Sequence, residues 1–498
     1  MRKIIFMLTT MFLLASCTGN QTEKATAEHD MPDETFEYKV DRFADIEILR
    51  YYVPGFKSLS LKQKELVYYL TQAALEGRDI LWDQHNSLNL TIRRVCESLY
   101  ENYMGDKNSE DWKNFETYLK QIWMANGVHH HYSEDKIIPA FSQDYFVTIV
   151  KSVDPGRMPF RDGMAADETL NEILPLMFDP AVMPKRMNQT AGADIVTTSG
   201  INFYEGVTQA EVENFYNAMK DPNDNTPVSY GLNSKVMKED GKVVEKVWKL
   251  GGMYDKAIER IVGWLEKAAE VAENKEQKEV ITSLISYYKS GDLKQFDDYS
   301  ILWTNDTTSQ VDFINGFIEV YADPLGMKGT WESIVNFKSE EASKRTEIIS
   351  ANAQWFEDNS PTDSRFKKDE VKGVSAKVIT VAMLGGDCYP ATPIGINLPN
   401  SNWIRRDHGS KSVTIDNITD AYANAARGDG FNAEFVWSDT ERELMSEYGV
   451  MTDNLHTDLH ECLGHGSGKL LPGVDPDALK AYGSPLEETL LSGRPQAY

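Results

Sequence analysis

The spacing of His460 and His465 in His460-Glu461-Cys462-Leu463-Gly464-His465 is the tightest constraint this sequence places on its own fold. Two imidazoles around a carboxylate are the minimum kit for a hydrolytic zinc site. In the common zincin pattern the histidines stand four residues apart on one side of a helix, and the Glu beside the first activates water. Here the second histidine comes five residues after the first. At about 100° per residue, a four-residue step returns to within roughly 40° of its start, whereas five overshoots by about 140°. Both rings reach one ion only if the helix gains an extra residue near Gly464, a single-turn bulge of the kind found at functional sites. Leu455, Leu459 and Leu463 would press one face of that helix into a core. Gly464, Gly466 and Gly468 supply the loosening a bulge and a helix end need. A rival pair, His456 and His460, is four apart and needs no bulge, but it would leave Glu461 and His465 idle.

Further along, Ser484-Pro485-Leu486-Glu487 reads as an N-cap, a proline at the first helical position and a capping-box Glu. Glu488 then falls in the first turn of a new helix, free to face a metal. Together these residues resemble the dipeptidyl peptidase III family of zinc aminopeptidases, whose signature is H-E-x-x-G-H with a second motif, E-E-x-x-A-[DE]. The resemblance implies His460, His465 and Glu488 as ligands of one Zn2+ per chain, with Glu461 as catalytic base. It breaks after Glu488, where Leu491 and Ser492 replace the Ala and the acid and the sequence stops at Tyr498. Because that family's zinc domain runs on beyond its second motif, the resemblance leads to the expectation of a C-terminally truncated zinc lobe.

Two more stretches carry the likeness. Gly316-Phe317-Ile318-Glu319-Val320-Tyr321-Ala322-Asp323-Pro324 resembles the family's segment lining the substrate cleft, so Glu319 would hold a peptide's free amino group and Tyr321 would bond its backbone. Glu332 matches another acid near that amine. Gly395-Ile396-Asn397-Leu398-Pro399-Asn400 resembles the family's G-I-N-x-P-N loop, with Asn397 and Asn400 as amides at the substrate's amino end. Read without the family, Glu319 is an edge-strand acid, Glu332 a helix-start acid, and the two Asn are turn formers.

At the N-terminus, Arg2-Lys3, the apolar run Ile4–Leu14 and Ala15-Ser16-Cys17 form a secretory signal too short to span a membrane. Leu14-Ala15-Ser16-Cys17 resembles the bacterial lipoprotein box, which would make Cys17 the lipidated first residue and place the protein in the cell envelope. A plain signal peptide is the alternative. Thr18–Thr35 reads as a polar tether. With 77 Asp and Glu against 51 Lys and Arg, the net charge is −26, which argues against nucleic acid and against docking on anionic lipid, so the membrane enters only through the anchor. Beyond Cys17 only Cys96, Cys388 and Cys462 remain, too few for a disulfide framework, although one pair is open to forming.

Local patterns predict helices over Ser60–Glu76, with a Ser60/Gln63 capping box, over Ile92–Tyr103, Asp111–Met124, Tyr254–Ala272 and Lys275–Tyr288, and over Glu332–Phe356. Another spans Ser438–Tyr448 as the last before the zinc helix. Ser234–Val247 reads as a hairpin around Asp240-Gly241, Phe313–Tyr321 and Val378–Leu384 as strands, and Pro393–Asn400 as an irregular loop. His129-His130-His131 cannot all chelate one ion and reads as structural or surface histidine.

The expected fold is α+β: two lobes around a wide cleft, a mixed lobe with a small β-barrel and a mainly helical zinc-bearing lobe. The expected divisions are a signal at 1–17, a tether at 18–35, the mixed lobe at 36–338 and 374–426, and the zinc lobe at 339–373 and 427–498. The expected activity is release of dipeptides from the N-terminus of oligopeptides. The alternative is a lipid-anchored peptide-binding protein without turnover, should the site lack the walls that exclude water.

Overall fold

The structure, a computed structural model, describes residues 32, 35–160, 165–371, 374–390, 392–426, 430–464, 468, 469 and 471. Cys17 with the leader, almost all of the tether, His465 and Glu488 lie outside the described residues.

The fold is mixed α+β. A hairpin of β1 (Lys39–Phe43) and β2 (Ile46–Leu49) precedes six helices: α1 (Leu61–Glu76), α2 (Arg78–His85), α3 (Asn89–Asn102), α4 (Glu110–Ala125), α5 (Gln143–Ser152) and α6 (Ala166–Phe178). Next come β3 (Tyr204–Glu205), α7 (Gln209–Asn217), β4 (Ser234–Glu239), β5 (Lys242–Val247), α8 (Asp255–Glu270), α9 (Lys275–Ser290) and α10 (Leu293–Asn305). The second half holds β6 (Val311–Phe317), β7 (Trp331–Lys338), α11 (Glu340–Ala351), α12 (Ala353–Asn359), β8 (Val374–Gly386) and β9 (Gly395–Leu398). It ends with α13 (Asn402–His408), β10 (Ser410–Ile415), α14 (Asp416–Ala426), α15 (Phe431–Phe435) and α16 (Asp439–Leu459).

Local signals behave as their chemistry dictates. Ser60 Oγ accepts from Gln63 N at 3.3 Å while Gln63 Oε1 accepts from Ser60 N at 2.9 Å, closing the capping box of α1. Leu66, Val67, Leu70 and Ala74 are buried on its inner face. The β4–β5 turn holds Asp240 at φ 49° and Gly241 at φ 76°, the left-handed pair a tight two-residue hairpin requires.

Four stretches depart from the sequence reading. The single helix expected over Glu332–Phe356 is strand β7 followed by α11 and α12. Seven of β7's eight residues are buried, because β6 and β8 flank it on both sides. The strand expected to reach Tyr321 stops at Phe317, since the Asp323 carboxylate gathers the N–H groups of Leu325, Met327 and Lys328 and turns the chain. The expected loop at 393–400 contains strand β9, paired with β10. The helix expected to end at Tyr448 runs on through Gly449 to Leu459. Cys96 and Cys388 are separate buried thiols, not a disulfide.

The large sheet has the order β6-β7-β8-β10-β9, antiparallel except for β8 with β10. Its backbone ladder is open among the described residues, where a small β-barrel was expected. It is coiled enough that side chains near its two ends meet: Lys411 Nζ lies 2.8 Å from Asp312 Oδ2, and Asn400 Nδ2 donates to Glu319 Oε2 at 3.0 Å. α1, α8, α9 and α10 pack with this sheet around the main core, including Leu70, Leu265, Leu284, Phe317 and Trp331. A second core joins α2 through α6, with Trp82, Trp112, Phe115 and Ile173 inside. A small third one sets Leu463 against Ile349 and Ala353, so α11 and α12 share an interior with the segment that follows α16.

Candidate functional site

Ser438 caps α16 by accepting from Glu441 N at 3.2 Å, and 21 residues later the helix changes pitch. His460–Gly464 form a π-helical turn, in which hydrogen bonds reach one residue farther than in an α-helix. This is the extra residue the His460/His465 spacing demands, placed inside the motif. Two contacts hold the turn in place, one to the sheet and one to α11 and α12. Asp458, fully buried, accepts from Thr414 Oγ1 of β10 at 2.8 Å, and Leu463 is 4 % exposed in the small core. Burying a leucine to that degree contributes roughly 1.5–3 kcal/mol, enough to offset a poorer hydrogen-bond geometry over one turn. The turn packs on β8, β9 and β10.

Of the residues expected at a zinc site, His460 is half-buried at the start of the turn and Glu461 lies within it. With His465 and Glu488 beyond the described residues, no group of three metal-ligating side chains converges among those that are described. His456 is exposed one α-turn earlier. His129 is buried with Nε2 2.9 Å from the Met183 carbonyl oxygen, a structural role like the one expected for that cluster.

The predicted amine-binding residues gather at the other end of the large sheet. After β6 the chain stays loosely paired through Ile318 N to Thr330 O at 3.2 Å and Thr330 N to Glu319 O at 2.8 Å. Glu319 lies on this short extension and takes Asn400 Nδ2 from beyond β9. Asn400 Oδ1 accepts from Arg405 Nη2 at 3.1 Å, so its carbonyl oxygen is already engaged. Arg405 also donates to Pro399 O at 2.6 Å and Asn397 O at 2.8 Å, fixing the turn between β9 and α13. Asn397 Nδ2 donates to Ser412 Oγ at 2.6 Å, while its Oδ1 is buried with no hydrogen-bond partner among the described residues. A buried amide oxygen left unmet costs about 1–3 kcal/mol, which makes Asn397 a ready acceptor for a donor arriving from outside. Tyr321 sits on the turn after Glu319 with 55 % of its surface exposed.

Glu332 is a strand residue of β7, opposite Gly316 and Gly386, not the helix-start acid the pattern suggested. The Cys388 thiol donates to Glu332 Oε2 at 3.2 Å. Burial, then the neighbouring Glu319, holds the Glu332 carboxyl well above the usual carboxylate range. Burial and Glu332 likewise push the Cys388 thiol up. Asp387, the residue before it, behaves oppositely. Burial opposes its ionisation, but the Arg186 guanidinium and the Thr330 hydroxyl favour the carboxylate and hold it below the usual range.

Asp387, Cys388, Thr330, His85 and Arg186 were not singled out from sequence for this site. Thr330 Oγ1 donates to Asp387 Oδ2 at 2.8 Å, and His85 Nε2 stands 3.8 Å from Asp387 Oδ1, too far for a hydrogen bond. Arg186 Nη1 donates to His85 Nε2 at 2.9 Å, and His85 Nδ1 lies 3.1 Å from Asn126 O, which fixes a neutral ring protonated on Nδ1. Burial and then Arg186 lower its basicity, consistent with that form. Glu134 grips Arg186 in a bidentate pair at 2.6 and 2.7 Å. Gln84 beside His85 accepts from Trp331 N at 2.8 Å, so the end of α2 braces the strand that carries Glu332. The one available signal was Gly385-Gly386-Asp387-Cys388, a glycine pair closing a buried strand.

The profile of peptidase family M49 matches residues 213–485. The chain is similar to dipeptidyl peptidase 3 of Dictyostelium discoideum, 25% identical over 440 residues, 84% of this chain and 60% of that protein. It is similar to dipeptidyl peptidase 3 of Nematostella vectensis, 24% identical over 486 residues, 89% of this chain and 64% of that one. Its fold resembles that of DPP III from Caldithrix abyssi, with a TM-score of 0.59 at 21% identity, over 83% of this chain and 65% of that chain. The chain therefore spans less than two thirds of the length of these relatives.

Proposed function

The chain belongs to peptidase family M49, and from that membership we propose that it is a zinc exopeptidase releasing dipeptides from the amino end of oligopeptides. The observation that carries the reading is the π-helical turn at His460–Gly464. It meets the one geometric demand that a five-residue histidine spacing makes of a shared ion, and a regular helix would fail that demand. His460, His465 and Glu488 would hold the zinc, which when bound supplies a water of lowered pKa and polarises the scissile carbonyl. Glu461 accepts the proton of the attacking water and returns it to the departing amine.

An exopeptidase must also measure from the chain end. Glu319, oriented by Asn400, attracts the peptide's ammonium, Asn397 Oδ1 accepts one of its N–H groups, and Glu332 closes the far side. Tyr321, exposed on the turn, hydrogen-bonds the peptide backbone. Export and anchoring through Cys17 complete the proposal, and they rest on the leader sequence alone.

The test pairs zinc content with dipeptide release from a chromogenic dipeptidyl substrate. The expected result is about one zinc per chain and turnover that falls by 10²–10⁴-fold in Glu461→Ala, the range for loss of a general base, with zinc retained. Turnover indifferent to Glu461→Ala overturns the mechanism. Peptide binding with neither zinc nor release leaves a binding protein.

A further inference from the structure

Glu332 is 6 % exposed, and the hydrogen-bond partner of its carboxyl is a thiol, one of the weakest donors a protein has. Among the described residues no lysine, arginine or histidine forms an ion pair with it. The nearby cations are committed elsewhere. Arg186 is held by Glu134 and His85, and Arg405 by the carbonyl oxygens of Pro399, Asn397 and Asn400. Among the described residues the charges that face Glu332 are negative: Glu319 from the segment after β6, and Asp387 from the turn after β8. Both have polar partners of their own, Asn400 for Glu319 and Thr330 for Asp387, which stabilise their ionised forms. Neighbouring carboxylates without a cation between them do not all ionise, and the most buried, least hydrogen-bonded one keeps its proton.

We propose that the empty site holds Glu332 as a neutral acid and that a peptide's ammonium, on seating between Glu332 and Glu319, expels that proton. This rests on the reading of Glu319 and Glu332 as the amine-binding pair. The step balances as carboxylic acid plus ammonium giving carboxylate paired with ammonium, with one proton leaving to solvent. No covalent bond other than O–H breaks. The consequence is a site that carries one negative charge less when empty than its acids imply, and whose affinity for amino ends climbs as pH rises. Cys388 is a positioning residue here: its thiol donates to Oε2 and leaves Oε1 to the ligand.

Calorimetric titration of the intact protein with free alanylalanine, at about pH 6.5 in two buffers of different ionisation enthalpy, counts the protons released. The dipeptide's own ammonium, with a pKa near 8, stays charged throughout. The expected count is close to one per dipeptide bound in the wild type and close to zero in Glu332→Gln. The wild-type Kd should also fall about tenfold per pH unit between about pH 5.5 and 6.5, as release of one proton requires. Binding without proton release, equal counts in the two proteins, or a Kd flat in pH overturns the proposal. The wild-type slope decides the matter if the variant does not fold. Absence of any binding overturns the amine-binding reading itself, a different outcome from binding that releases no proton.

Discussion

Asp387 and Glu332 are two poorly exposed acids at the same end of one sheet, and their neighbours drive them apart. Asp387 has the Thr330 hydroxyl and faces His85 and Arg186, whereas Glu332 has a thiol and faces Glu319. The consequences for stability have opposite signs. An acid held below its unfolded value of about 3.9 stabilises the fold above about pH 4, and that contribution disappears as pH falls through its lowered folded value. With Asp387 side-chain exposure at 23%, Asp387→Asn should lower stability at pH 7, with the difference from wild type closing as pH falls below about 4. Glu332 is raised, so its burial costs stability once pH passes its unfolded value near 4.3, and the cost grows upward from there. Glu332→Gln should therefore unfold at higher temperature than wild type at pH 7 and at the same temperature near pH 4. Urea and thermal unfolding across pH check both, and parallel trends in the two variants would contradict these assignments.

At the scale of elements, the zinc motif turns on helical phase. His456 and His460 share an α-helical face, and the π turn over His460–Gly464 adds the extra residue that a five-residue histidine spacing requires. His460→Ala should abolish zinc binding while His456→Ala, at an exposed position, leaves it unchanged, as metal analysis after dialysis would show. Zinc lost in both variants would favour the rival pair. That turn was legible because spacing alone demands it, as were the α1 cap and the Asp240-Gly241 hairpin, whose determinants lie within a few residues of each other. β7 was not legible. Trp331–Lys338 is covered on both faces, so it lacks the period-two alternation of a half-buried strand, and its apolar run merged with the pattern of α11. Only pairing with β6 and β8, which are distant in sequence, decides its conformation. Gly449 misled in the other direction: a helix tolerates it for about 1 kcal/mol when packing continues beyond. The Glu134–Arg186–His85–Asp387 chain could not be read at all, since four separate segments supply it and none carries a local pattern.

For the whole molecule, that chain joins the helical core of α2 through α6 to the end of the sheet that carries the acids proposed to bind the amine. Arg186 is its centre, with 6% of its side chain exposed against 18% for Glu134. Glu134 also holds φ 62°, a left-handed conformation that costs a non-glycine residue about 1–2 kcal/mol, and Arg186 N donates to Glu134 O at 2.9 Å across the same contact. The pair therefore fixes backbone as well as charge. Removing one partner of a buried pair strands the other, a loss of about 3–5 kcal/mol, whereas removing both relieves it. Arg186→Met should thus lower unfolding free energy by that amount, and Glu134→Gln combined with Arg186→Met should lose less than the two single changes added together, by about 1–3 kcal/mol. Because Arg186 also helps keep Asp387 ionised beside Glu332, Arg186→Met should change alanylalanine affinity while the folded fraction is still complete. Strict additivity in the cycle, or dipeptide affinity equal to wild type in folded Arg186→Met, would mean that the helical core and the amine-binding end of the sheet are merely adjacent.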